Sequence, residues 1–183
     1  MIHALVHLNA RLQPMDRGEY FEDPLDEVLR ESNTGEVTGG GTLQAENGEI
    51  QSCDIEVELR DSSTERIDRL VAGLEILGAH RGSKLILSEA GIERPFGRTE
   101  GMAIYLNGTE LGSDVYSSCD INVVISECQE RLGEHGRWLS HWTGAEETAL
   151  YFYGASFHQM TERVSSFLAS YPLCQKCRVV QIA

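Results

Sequence analysis

Two histidines and a run of carboxylates offer the first chemistry in this chain. His3 and His7 sit in MIHALVHLNA, and Asp54, Glu56 and Glu58 alternate in SCDIEVELR. Imidazole beside carboxylate can ligate a divalent cation or move a proton. Residues four apart on a strand lie ~13 Å from each other, so His3 and His7 cannot share one ion. A metal site would pair one of them with a cross-strand carboxylate, which makes His3, His7, Asp54 and Glu56 its candidate ligands. The simpler reading is a hydrated polar face, since charged side chains usually stay in water.

A second set of residues is suited to recognition. Tyr105 lies in MAIYLNG, Tyr151 and Tyr153 in TALYFYG, and His141 and Trp142 in LSHWT. Gly39, Gly40 and Gly41 form TGGGT, and three glycines within a strand mark a bulge or the close approach of another group. The glycine patch is expected to receive a bulky group from the other half of the chain, a second chain or a ligand. Together these eight residues are the candidate ligand or partner face. The glycines are no phosphate cradle, because no GK[ST] follows them. Cys174 and Cys177 form a CxxC, but it follows a helix and enters a strand, whereas a thioredoxin-type pair opens a helix. Cys53, Cys119 and Cys128 show no second paired spacing, so no zinc ribbon is read. No catalytic residue and no cofactor signature is assigned.

Strands and helices must position these groups, and one order of elements can be read twice. Ile2, Ala4, Val6 and Leu8 alternate with polar neighbours as in a strand. Asp23-Pro24 signals a helix start, Asp as cap and Pro at the first helical position. GEVTGGGTLQ is a second strand, Asn47-Gly48 a hairpin turn, and IQSCDIEVEL a third strand. Ser62 or Ser63 caps a helix with Ile67, Leu70, Val71 and Leu74 inward, and KLIL follows as the last strand. Residues 1–88 thus form unit 1. SEAGIERPFGRTEG has no period, and residues 89–101 are expected as a linker. Residues 102–183 repeat the order as unit 2, with Ser118 or Asp120 and then Ser156 as helix caps. The match of Ser52-Cys53-Asp54-Ile55 with Ser118-Cys119-Asp120-Ile121 falls on unlike elements and reads as chance.

The order βαββαβ resembles the ferredoxin-like plait, and the expected class is α+β: two tandem units, each a four-stranded antiparallel sheet with two helices on one face. The other face is then open. In unit 1 it would carry His3, His7 and Asn9 beside Asp54, Glu56 and Glu58. In unit 2 it would carry Ala103, Tyr105 and Asn107 beside Ala149, Tyr151 and Tyr153, joined by Trp138 or Trp142. RNA-recognition domains of this fold stack bases on aromatics of the same strands, but ETALYFYG lacks their basic and glycine pattern. Aligning the units on Gly35 and Gly136 sets TGGGT opposite LSHWT.

The bulk numbers narrow the function. The net charge is -14, hydrophobic residues make up 41% and charged residues 24%. Both halves repel phosphate backbones, which argues against nucleic acid. No apolar stretch approaches the ~20 residues of a membrane span, and no secretory leader is read. Five cysteines without one fit a reducing, cytoplasmic setting. The expected function is a non-catalytic binding or interaction protein. It would sense a small molecule, as tandem plait regulatory domains do, or use its acidity to hold a basic protein partner, with homodimerisation through an open face. The alternative is an enzyme using a His/carboxylate site on an open sheet face, such as His3 or His7 with Glu56, or His141.

Overall fold

A computed structural model describes all 183 residues. The chain divides into two compact units, residues 1–45 with 50–99 and residues 46–49 with 100–183. Both are ferredoxin-like. Unit 1 has β1 (Ile2–Leu8), a helical run, β2 (Gly35–Gln44), β3 (Ile50–Leu59), α3 (Thr64–Ile76), β4 (Ser83–Leu87) and β5 (Ile92–Phe96). Its antiparallel sheet has the order β2-β3-β1-β4-β5. Unit 2 has β6 (Glu100–Asn107), α4 (Ser113–Ser118), α5 (Ile121–Leu132), β7 (Gly136–Thr143), β8 (Glu147–Gly154), α6 (Phe157–Ser170) and β9 (Arg178–Gln181), with the order β7-β8-β6-β9.

Alternation decides the inner faces. Ala4, Val6 and Leu8 on β1 and Ile55, Val57 and Leu59 on β3 are buried, as are Leu25, Leu29, Ile67, Leu70 and Leu74 on the helices. In unit 2 Met102, Ile104, Leu106, Leu150 and Phe152 join Val124, Cys128, Met160 and Val164 in one core. Asp120 and Ser156 cap α5 and α6, accepting from the backbone N–H of Asn122 and Gln159. Ser63 occupies the cap position of α3 without a side-chain bond. The carboxylate at that helix entry is Asp61, which takes the Ser63 N–H at 3.0 Å.

Two expectations need correction. The helix before β2 begins at Pro14, not at Asp23. α1 (Pro14–Arg17) passes through a π turn (Gly18–Glu22) directly into α2 (Asp23–Glu31). Pro24 has no N–H to donate and its ring crowds the carbonyl four residues back, so a wider turn before it relieves both problems. The segment expected as a linker is partly ordered into the sheet. Ser88–Ala90 is a 3-10 turn and β5 pairs with β4. Pro95 hid this strand, because proline weakens a strand pattern while remaining tolerable on an edge. The helix before β7 starts at the expected Asp120 cap, and a short additional helix, α4, precedes it and ends at an extended Cys119.

Candidate functional site

The sheet register fixes which residues share a face. His3 lies opposite Glu58, Leu5 opposite Glu56, and His7 opposite Asp54. Across β2, Gly39 is paired with Glu56, Gly40 with Ile55 and Gly41 with Asp54. One surface of unit 1 therefore carries His3, Leu5, His7, Asp54, Glu56, Glu58, Gly39 and Gly41. Gly40 points to the helix side with Ile55.

On this surface His7 Nδ1 meets Asp54 Oδ1 at 2.8 Å, with side chains 30% and 37% exposed. His3 and Glu56 are exposed. No three His, Cys, Asp or Glu side chains converge on a point that could hold a metal ion. Of the four candidate ligands the strands bring together only His7 and Asp54, because the strand rise keeps His3 away and Glu56 lies one pair further along. Lys84, the neighbour of His7 on β4, reaches Glu93 at 3.1 Å.

The glycine patch has two sides. At Gly41 a side chain would meet nothing within 4 Å, and at Gly39 only the Glu56 carboxylate. At Gly40 a Cβ would lie 2.5 Å from Glu22 Oε1, 2.7 Å from the Asp54 carbonyl oxygen and 3.0 Å from Arg17 Nη2. The group received there is an ion pair of unit 1 itself. Arg17 is only 7% exposed, donates from Nε to Glu22 Oε1 at 2.6 Å and from Nη1 to the Gly41 carbonyl at 2.8 Å and Thr42 Oγ1 at 2.9 Å. The π turn makes this possible, since residues five apart come onto one face of the widened helix. Sequence reasoning found the glycines and missed Arg17. A buried arginine has no local signature beyond the missing side chain opposite it.

The equivalent face of unit 2 is not open. Ala103, Tyr105, Ala149, Tyr151 and Tyr153 are buried, and Trp142 on β7 is nearly so. Trp142 pairs with Ala149 and so joins the tyrosines, whereas Trp138 pairs with Phe152 and packs on the helix-side core. His141 is exposed on that other side and stacks on Trp138 at 6.2 Å. Two of the tyrosine hydroxyls converge on one carboxylate. Tyr105 donates to Glu49 Oε1 at 2.6 Å and Tyr151 donates to the same atom at 2.8 Å. Arg178 lies over the Tyr105 ring at 4.4 Å and binds both oxygens of Glu147. These aromatics are a closed structural cluster, and the residues expected as an exposed ligand face are divided between its interior and the outer side of β7.

The CxxC thiols are free; Cys174 is buried in the core of unit 2 and the half-buried Cys177 packs against it. Burial pushes Cys174 and Cys128 up to about 12 and raises Cys177 as well. A protonated thiol is a poor nucleophile and a poor metal ligand.

No family model matches the chain. No curated protein matches it either. Among solved structures, the chain is similar to the regulatory subunit of aspartate kinase from Thermus flavus, at 15% identity and TM-score 0.29, covering 91% of this chain and 92% of that one. The Thermus thermophilus counterpart, in its ligand-free form, gives 16% identity and TM-score 0.27 with 90% and 92% covered. The first two RRM domains of yeast poly(U) binding protein give 9% identity and TM-score 0.27 with 98% and 99% covered. Likenesses this distant concern the fold and say nothing of activity.

Proposed function

We propose that this chain is a non-catalytic binding protein whose working surface is the open face of unit 1, and that a basic polypeptide segment is what it holds. One observation carries this reading. Asp54, Glu56 and Glu58 stand on alternate residues of β3, and beside them Gly39 and Gly41 leave the sheet bare. Carboxylates spaced about 7 Å apart along a strand suit successive cationic side chains of an extended peptide. The chain's net charge of -14 would draw such a partner in and repel acidic ones.

The test is titration of the protein with a lysine decapeptide at low and physiological salt. Binding should saturate, weaken as salt rises, and fall about tenfold in the double variant Glu56→Gln, Glu58→Gln. A control variant, Glu130→Gln with Glu134→Gln, removes the same charge from exposed positions of unit 2. Equal losses in both variants would reduce the effect to net charge and sink the reading.

The His7–Asp54 contact favours a second reading, acid–base chemistry. A carboxylate on Nδ1 orients the ring and leaves Nε2 to exchange a proton. Thermal unfolding against metals, amino acids and nucleotides separates the two. A saturable rise in midpoint that His7→Ala abolishes would favour the second reading over the first.

A further inference from the structure

Each sheet ends in two edge strands, and three of the four are closed to another strand. On β2, Asp26 occupies the Val37 N–H beside a bulge. On β7, Gln129 occupies the Trp138 N–H and the Gly136 carbonyl, again beside a bulge. On β5, Pro95 removes an N–H, and Glu93 and Arg94 stand exposed next to it. Such features keep an edge from templating a further strand. β9 has none of them. Its ladder with β6 runs without a bulge from Arg178 to Gln181 and continues at Ile182, whose N–H donates to the Gly101 carbonyl at 2.9 Å. That bond fixes which groups look outward. Main-chain groups alternate along a strand, so Arg178, Val180 and Ile182 address β6, while Val179 and Gln181 turn their N–H and C=O groups away from the sheet. No group of the chain pairs with those of Val179 and Gln181.

We infer that β9 is a self-association edge, on which β9 of a second copy adds antiparallel about a twofold axis at Val180 and joins the two unit 2 sheets into one. This register uses every outward group. Val179 faces Gln181 of the second copy, the two residues exchange N–H···O=C bonds, and symmetry repeats the exchange on the other side of the axis. Val180 then meets Val180 of the second copy as a non-hydrogen-bonded pair, where side chains come closest. Val180 is 36% exposed and branched at Cβ, which suits such a contact. Charge points to a second copy over a peptide of another kind. The charged side chains at this edge are already held, Arg178 by Glu147 and Lys176 by Glu110, so nothing is left to select a charged strand. The twofold register sets no like charges opposite each other. A single strand pair is a small contact, which puts the dimer in the weak, reversible class.

Sedimentation velocity of the full chain over a concentration series up to about 1 mM tests this. A reversible monomer–dimer equilibrium is expected. Higher salt should strengthen it, because screening relieves the repulsion between two copies of charge -14. Val180→Lys sets two ammonium groups against each other at the axis and should weaken the dimer at least about tenfold. Because the position is exposed, its unfolding midpoint should stay near that of the wild type. Gln181→Pro removes an outward donor without touching a bond to β6 and should weaken the dimer as much. Val123→Lys adds the same charge at a 38% exposed position of α5 and should leave the dimer intact. A chain that stays monomeric throughout, a dimer undiminished in Val180→Lys, or equal losses in Val180→Lys and Val123→Lys would each overturn the assignment. The Val180→Lys result remains decisive even where Gln181→Pro unfolds.

Discussion

The two sheets are built alike and finished differently. With Gly35 set on Gly136, the bulge in β2 between Val37 and Gly39 falls on the bulge in β7 between Trp138 and Ser140. His7 then corresponds to Tyr105, Asp54 to Ala149, Glu56 to Tyr151, Glu58 to Tyr153 and Gly41 to Trp142. In unit 1 that surface is charged, and carboxylates without partners are not buried, so it stays in contact with water. In unit 2 it is aromatic and buried, and the polar ends of two tyrosines are satisfied by Glu49. The backbone permits either outcome. Side chains at five equivalent positions decide which sheet keeps a free face, and therefore which unit can meet a partner through it.

Tyr151 and Glu56 test the contrast most strongly because they occupy the same place. Tyr151 has no exposed surface. Tyr151→Ala should cost about 3–5 kcal/mol in urea unfolding, the range for deleting a buried aromatic. Glu56→Ala should stay within about 0.5 kcal/mol, as an exposed position does. Tyr151→Phe isolates the hydroxyl and should cost about 1 kcal/mol, with Glu49 keeping its bond to Tyr105. A loss below about 1 kcal/mol for Tyr151→Ala would mean the face is not closed in solution.

The glycine patch gives a sharper test within one strand. Gly40→Val drives a side chain against Glu22, Arg17 and the backbone carbonyl of Asp54, and should cost about 1–3 kcal/mol by overpacking. Gly41→Val points into open space and should be neutral or stabilising by up to about 1 kcal/mol, because valine suits a strand better than glycine. Matching effects on thermal midpoint would show that Arg17 and Glu22 do not sit against Gly40.

Much of this was legible in the residues, and what was not has a common cause. Alternation gave β1 and β3, and local caps gave the starts of α5 and α6, because those signals lie within a few residues of the element they define. The SCDI repeat is accidental, as Cys53 lies in a strand and Asp120 caps a helix. The alternating pattern also sorted His7, Asp54 and the tyrosines onto the correct faces. It did not show that the tyrosine face is shut. Glu49 is 56 residues from Tyr105 and 102 from Tyr151, and no periodicity reports a contact at that separation. Arg17 escaped for the same reason, since its partners on β2 are 24 and 25 residues away.

The outer edges of β2 and β7 are alike again, and the similarity can be separated by pH. Asp26 Oδ1 accepts the Val37 N–H at 2.8 Å. At the equivalent position Gln129 Oε1 accepts the Trp138 N–H at 2.8 Å, while its Nε2 donates to the Gly136 carbonyl. Both side chains occupy backbone groups that would otherwise template pairing with another chain. Asp26→Ala and Gln129→Ala should each cost about 1 kcal/mol at neutral pH and increase self-association, read by light scattering. Their acid behaviour should differ. Burial works against the Asp26 charge, but the Val37 N–H and Arg30 outweigh it and hold the carboxyl below its ordinary 3.8. A carboxyl lowered on folding stabilises above its unfolded value, and that stability is lost as pH falls through the folded one. The gap between wild type and Asp26→Ala should therefore close below about pH 4, whereas the gap for Gln129→Ala, which has no proton to gain, should persist wherever unit 2 remains folded. A pH-independent gap at Asp26 would mean the Val37 bond survives with a neutral carboxyl and owes little to its charge.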